Sequence, residues 1–433
     1  MASSSLFLDF SLLRNNAHFR AIFIARMLSV FALGMLTVGV PVQMQFLTGS
    51  TLQVGIVVAL DGVGMFIGLI LGGILADRYD RRKLILFARG TCGIGFVALS
   101  FNAFLDSPSL YILYFLSIWD GFFGALGMTA LMAAIPNLVG RENLAAAGAL
   151  SMITVRIGAI ISPALAGIII VAGGPGWNFA VAAIGTLATL LPLMRLPEMK
   201  PQLSNKEHPL SALVSGVKFV CQHKIVGSVI LVGMLLSVAG AVRILFPALS
   251  QEVYHQGSSA TGLMYSAVPL GAMLGAFTSG WIGRSSRSGV LLVVCALCSF
   301  ITLSLLGVVT NIVLALLVLV CYGYLNAFAS LLQFTLVQSH TPDHLLGRVN
   351  SFVTAQDVTG DSLGALGLGF MGRLLSPIMT VFSFGTFAAL TCLLLATVIK
   401  PLRHSTLSSS TALSETNLSE KKPLEREHKQ SDS

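Results

Sequence analysis

Eight ionisable side chains stand inside otherwise apolar stretches of this sequence: Asp61, Asp120, Asp357 and Asp361, with Arg26, Arg89, Arg156 and Arg243. A charge at the centre of a bilayer costs about 2.5–3.5 kcal/mol even on insertion scales, so such residues point to ion pairing, proton passage or a ligand. Four acids and four bases also suit structural ion pairs, which give specificity more dependably than stability. Counted along the apolar runs, Asp61, Asp120, Arg156 and Asp357 fall near midspan. Arg26 and Arg89 fall toward one end, and Arg89 is expected to snorkel or pair structurally. All eight histidines (His18, His208, His223, His255, His340, His344, His404 and His428) lie in loops, tails or at span edges. A proton carrier inside the membrane must then be a carboxylate. Asp120 is the first choice, with Asp61 and Asp361 behind it.

The elements that hold these residues are set by composition. The chain has 433 residues, 55% hydrophobic and 10% charged, with a mean hydropathy of +0.85, which excludes a soluble domain with a polar surface. Runs of about 20 apolar residues match a hydrocarbon core of roughly 30 Å, and no alternating ten-residue strands appear. The expected fold is an all-α polytopic membrane protein with twelve transmembrane helices, at 18–46, 52–76, 83–105, 110–136, 143–172, 177–195, 225–249, 260–283, 288–309, 311–337, 346–374 and 377–399. The one long polar break, 196–224, reads as a cytoplasmic linker. It divides a six-helix half, 1–195, from a second, 225–399, and the Ser-, Glu- and Lys-rich residues 400–433 read as a disordered cytoplasmic tail.

A repeat supports the division. Gly55, Gly64, Gly68 and Gly73 recur as Gly262, Gly271, Gly275 and Gly280, and WDGFFGA from Trp119 aligns with CYGYLNA from Cys321. Duplicated membrane halves with a site near the midplane are how many secondary transporters are built. Arg156 and Asp357 take near-equivalent places in the fifth and eleventh spans with opposite charge, which suggests a gate between the halves. Basic residues fix the orientation. Arg78, Arg81, Arg82, Lys83, Arg141, Lys200, Lys206, Lys218, Lys224, Arg284, Arg287 and Arg348 lie in the loops of one side, against Arg373 alone on the other, so both termini are expected in the cytoplasm. The net charge of +8 follows from this bias, and its scatter over short loops argues against nucleic acid as a partner. The first apolar run is long enough to stay as a span, so no cleavable signal peptide is needed.

Enzyme chemistry finds little footing. No H-E-x-x-H, G-x-S-x-G or phosphate-binding loop appears, no metal site or cofactor is expected, and Cys295 and Cys298 form a mid-helix C-x-x-C without a nearby base. The fifth span carries RIGAIISPALAG from Arg156, where Gly158, Pro163 and Gly167 permit close helix contact; the run resembles a degenerate antiporter motif, a resemblance that weakly favours export over uptake.

The loop after the second span reads GGILADRYDRRKLIL from Gly72. Gly73 is expected to let two helices approach, Asp77 to sit at a helix end needing a cationic or helix-N-terminal partner, and the cations to lie at the interface. This string resembles the signature loop of the major facilitator superfamily. The resemblance implies a conformational latch of Gly73, Asp77, Arg78, Arg81 and Arg82 that holds an outward-open state. Two departures make it asymmetric: Asp80 stands where many members carry Gly, and the second copy, GWIGRSSRSG from Gly280, has Arg284 in place of Asp77.

Further strings, IWDGFFGALG from Ile118, LVGRENL from Leu138, AVRILFPAL from Ala241 and LGRVNSFVTAQDVTGD from Leu346, are similar to the enterobactin exporters of enteric bacteria. That resemblance implies proton-driven export of a catecholate siderophore, or another amphiphilic aromatic molecule, across the inner membrane. It implies a monomer in the lipid bilayer, with an outer-membrane channel as a further partner. In the superfamily fold the first, fourth, seventh and tenth helices line the cavity, which makes Trp119, Phe123, Tyr322, Asn326 and Gln333 candidate substrate contacts, and the third, sixth, ninth and twelfth helices face lipid. A multidrug or macrolide efflux pump of the same fold fits the same residues. A membrane receptor that binds without translocating is the distant alternative.

Overall fold

The computed structural model describes residues 11–140, 143–200, 209–284 and 287–399. The expectations placed on 400–433, on Arg141, Lys206, His208, His404 and His428, and on the side chain of Arg284 lie outside the described residues. Within them the chain is helical, with no strand. The long helices are α1 (Ala17–Thr48), α2 (Thr51–Arg78), α3 (Arg81–Ala103), α4 (Leu110–Val139), α5 (Leu144–Gly173), α6 (Pro175–Ala188), α7 (Lys224–Gly240), α8 (Ser258–Phe277), α9 (Ser288–Leu306), α10 (Ile312–Ser339), α11 (Leu346–Leu374) and α12 (Pro377–Val398). Eleven spans, taking α7 through to Val253, are long and apolar enough to cross a membrane. The helix α11 is not among them, because Arg348, Gln356, Asp357, Asp361 and Arg373 dilute its apolar content.

The boundaries differ from expectation in three places. The seventh span stops being α-helical at Gly240 and passes through a 3₁₀ turn, Ala241–Leu245, and a π turn, Leu249–Val253, instead of running to 249. The eighth ends at Phe277 and tightens to a 3₁₀ turn over Ser279–Arg284. The sixth breaks at Thr189. A further helix, Pro209–Gln222, occupies the break that reads as a linker, and Gly216 lies against the backbone of Arg348 on α11.

The repeated glycines explain how the helices pack. A Cβ on Gly64 would strike the backbone of Ile118 and Phe122 on α4, and one on Gly271 would strike Val320 and Tyr324 on α10, the positions the repeat makes equivalent. Gly121 answers Asp61 from α4, and Gly323 answers Val268 from α10. Small residues let backbones touch where lipid gives no hydrophobic drive to associate.

Two seams join the earlier helices to the later ones. In one, Gly55 on α2 packs against Ala365 and Gly369 on α11, and Thr51 Oγ1 donates to the Gly369 carbonyl at 3.3 Å. In the other, Gly167 on α5 packs against Ser258 and Gly262 on α8. Both lie toward the end opposite the basic loop at 78–83. Toward the basic end the space between the helices is open, and Arg156 and Asp357 are exposed there.

Candidate functional site

Two cavities meet between the seams. The first, about 350 Å³, is walled mainly by α1, α2 and α4 and contains Arg26, Asp61, Arg89 and Asp120 among apolar side chains. The second, about 440 Å³, lies between the α7 segment, α10 and α11 and is lined by Ser237, Asn326, Gln333, Asn350, Asp357 and Asp361. Arg243 lines both. Both volumes fall in the range of small-molecule sites.

Arg243 sits where α7 gives way to the 3₁₀ turn, and its guanidinium donates to Asp361 Oδ2 on α11 at 2.5 Å. Irregular backbone at membrane depth is tolerated where it is buried in protein or lines a cavity. Asp361 is thus an ion-pair partner, while Asp61 and Asp120 share the other cavity. They come together because α2 and α4 touch at the Asp61 carbonyl and Gly121. Asp120 Oδ1 is buried with no hydrogen-bond partner, as are Tyr265 Oη, Asn326 Oδ1 and Gln333 Nε2. Buried polar atoms without partners carry a desolvation cost, so a concentration of them around cavities marks a place for a polar ligand.

Of the five expected substrate contacts, Asn326 and Gln333 line a cavity and three do not. Trp119 turns to α3, where its Nε1 donates to the Thr91 carbonyl at 3.0 Å. Phe123, four residues on and on the same helix face, packs between Trp119 and Phe87 of α3, with ring centroids 4.7 and 5.7 Å away. The 100° step per residue that aims Asp120 at the cavity turns Trp119 away from it. Tyr322 lies one turn nearer the closed end than Asn326 and is sealed, 2% exposed. Of the two expectations for Arg89, snorkelling does not hold: the residue is buried on α3 and lines the first cavity.

At the basic end, Arg156 and Asp357 do not meet in this structure. Asp357 accepts from Ser237 Oγ at 2.8 Å and from Gln356 Nε2 at 3.3 Å. Gly73 faces open space, and the close approach falls one residue earlier, where Gly72 packs against Thr129 of α4. Asp77 and Arg78 close the last turn of α2, both exposed. Arg81 donates to the Ala133 carbonyl of α4 at 2.8 Å, and Arg82 to the Met194 carbonyl at 2.5 Å.

Asp80 carries a role that the sequence reading did not assign. One oxygen caps α3 by accepting from Lys83 N at 3.0 Å, and the other accepts from Met199 N at 2.9 Å. Arg81 N completes the clasp on the Met199 carbonyl at 3.2 Å. The signal available was an Asp directly before a helical run, a standard N-cap. In the RIGAIISPALAG run of α5, Gly158 packs on Val30 of α1 while the Pro163 carbonyl and Gly167 form the α5–α8 seam.

A model of the Major Facilitator Superfamily matches residues 22–365. The chain belongs to this superfamily. It is 47% identical over 404 residues to the enterobactin exporter EntS of Escherichia coli K12, covering 93% of this chain and 97% of that one, and equally to EntS of Citrobacter koseri. Among solved structures, the nucleoside transporter NupG is similar with a TM-score of 0.70 at 15% identity, covering 89% of this chain and 98% of that one. A bacterial homologue of the human lysosomal transporter Spinster is similar with a TM-score of 0.69 at 14% identity, covering 89% and 95%. At those identities the likeness is one of fold. The chain is therefore a multi-pass membrane transporter.

Proposed function

We propose that this protein exports enterobactin or a related catecholate siderophore across the bacterial inner membrane, driven by proton entry. The observation that carries the reading is 47% identity to enterobactin exporters over 93% of the chain, a likeness too broad to rest on the signature loop alone. The chain is read as twelve spans, with α11 as the amphipathic exception, in two six-helix halves, 1–195 and 225–399, joined by 196–224. Both termini are assigned to the cytoplasm by the positive-inside rule. On that orientation the cavities open inward, ready to load substrate from the cytoplasm. Asp120 and Asp61 are assigned to proton coupling, and Gly73, Asp77, Arg78, Arg81 and Arg82 to the latch of the opposite state. The chain works as a monomer and hands its substrate to an outer-membrane channel.

A deletion strain grown under iron limitation tests this. It should accumulate siderophore inside and release little, without drug hypersensitivity, and the wild-type chain should restore release. Normal secretion with drug hypersensitivity would instead favour the multidrug reading. Substrate-dependent proton flux in proteoliposomes tests the driving force, and siderophore movement without proton movement refutes it.

A further inference from the structure

We propose that Arg243 and Asp361 together form a donor–acceptor fork that recognises the paired hydroxyls of a catechol ring. The proposal rests on the siderophore reading and names the residues that read its chemistry. Three observations carry it. Among the described residues Arg243 is the one side chain that lines both cavities, so a ligand spanning them must pass it. The pair is open to the cavity, with side chains 37% and 26% exposed, unlike a sealed structural ion pair. It stands at the break of the seventh span, among buried polar atoms without partners on both sides: Asn326 Oδ1 and Gln333 Nε2 in one cavity, Asp120 Oδ1 and Tyr265 Oη in the other.

The chemistry of the pair matches a vicinal diol. A guanidinium only donates hydrogen bonds and an ionised carboxylate only accepts them, whereas each phenolic hydroxyl does both. A catechol inserted between them accepts from an Arg243 N–H through one oxygen and donates its other O–H to Asp361. No covalent bond changes, and each proton stays with its oxygen. The ion pair exchanges one direct contact for two charge-assisted ones, which are stronger than neutral hydrogen bonds. A monophenol has a single oxygen to serve both arms, where a catechol brings one to each. A catechol methylated on both oxygens brings no donor to Asp361 and adds methyl groups where the fork closes.

Sites built to bond a hydroxyl reject the analogue that lacks it far more strongly than apolar pockets reject size changes. For a pair this open to water, about tenfold is the expected discrimination.

The experiment measures binding of an iron-free tris-catecholamide and its fully O-methylated counterpart to the purified full chain, and to Arg243→Gln, Arg243→Lys and Asp361→Asn. The wild-type chain should prefer the catechol by about tenfold or more, in line with the cost of an unmatched polar group. Arg243→Gln and Asp361→Asn should bring that ratio near unity while still binding the methyl ether as the wild type does, which shows an intact fold. Arg243→Lys should keep part of the preference. A merely structural pair predicts weaker binding of both ligands with the ratio unchanged, and that result overturns the fork. Equal binding of both ligands by the wild type overturns the fork but leaves the export reading standing. Binding of neither ligand by the wild type removes both. If the Gln and Asn variants do not fold, the wild-type ratio and Arg243→Lys still decide.

Discussion

Asp120 ends in a buried oxygen that no protein donor reaches, on a helix that walls the first cavity. That makes it the residue to test first for proton coupling. Asp120→Asn should abolish gradient-driven export in proteoliposomes yet retain substrate binding and downhill exchange, since the amide mimics a protonated acid. If the variant still concentrates substrate against a gradient with unchanged pH dependence, Asp61 is the next candidate. The gate is tested differently. Arg156 and Asp357 stand apart and exposed in the present state, so the pairing proposed for them is assigned to the opposite one. Each single neutralisation should then impair transport more than the double, because a charge left alone at that depth is uncompensated. Additive losses in that cycle would count against the pair. The residues to examine were legible in the sequence, since a charge inside an apolar run stands out without any structure. Their directions were not. Trp119 and Asp120 are neighbours, and only the rotation of α4 decides that one faces α3 and the other the cavity.

Elements show the same division between what periodicity reveals and what local chemistry overrides. Long apolar runs located the helices to within a few residues except at the ends of the sixth, seventh and eighth, and the repeated glycines mark the contacts α2 makes with α4 and α8 makes with α10, which the sequence reading did not assign. The break in the seventh span was hidden because residues 241–249, AVRILFPAL, are nearly as apolar as the helix before them. Pro247, which has no N–H to give the Arg243 carbonyl four residues back, is the local reason the helix gives way there. The helix Pro209–Gln222 was likewise lost within a stretch read as polar. The clasp at Asp80 yields a prediction at this scale. It joins the signature loop to the start of the linker, and Leu196 and Met199 are buried beside it, 2% and 6% exposed. Asp80→Ala removes both the cap on α3 and the Met199 contact. Loss of such a cap costs about 0.5–2 kcal/mol. Limited proteolysis should show faster cleavage near Met199, with a lower unfolding temperature in detergent. Asp80→Asn, which keeps one of the two oxygen acceptors, should recover only part of the loss. Cleavage at the wild-type rate in Asp80→Ala would mean that the linker is held elsewhere.

At the scale of the whole molecule, the two seams close one end while the cavities open toward the other. A transporter that alternates must exchange these roles, and two side chains in this structure report on it with opposite sign. Asn350 lines the second cavity on the open side, whereas Ser258, 5% exposed, is sealed in the α5–α8 seam beside Gly167. In a background with the six native cysteines removed, Asn350→Cys should react with a membrane-impermeant maleimide from the basic side, and Ser258→Cys should stay unlabelled from either side. Imposing a proton gradient together with substrate should protect the cysteine at 350 and expose the one at 258 to the opposite side. Performed on right-side-out and inverted vesicles, the labelling also fixes which face holds the basic loops. Rigid rocking requires the two probes to respond together and in opposite directions, because packed seams are bistable rather than continuously deformable. If both cysteines gain reactivity at once, the helices are loosening rather than rocking. If the one at 258 stays dark under every gradient while export proceeds, the α5–α8 seam is fixed, and the path to the far side must open along α2 and α11 alone.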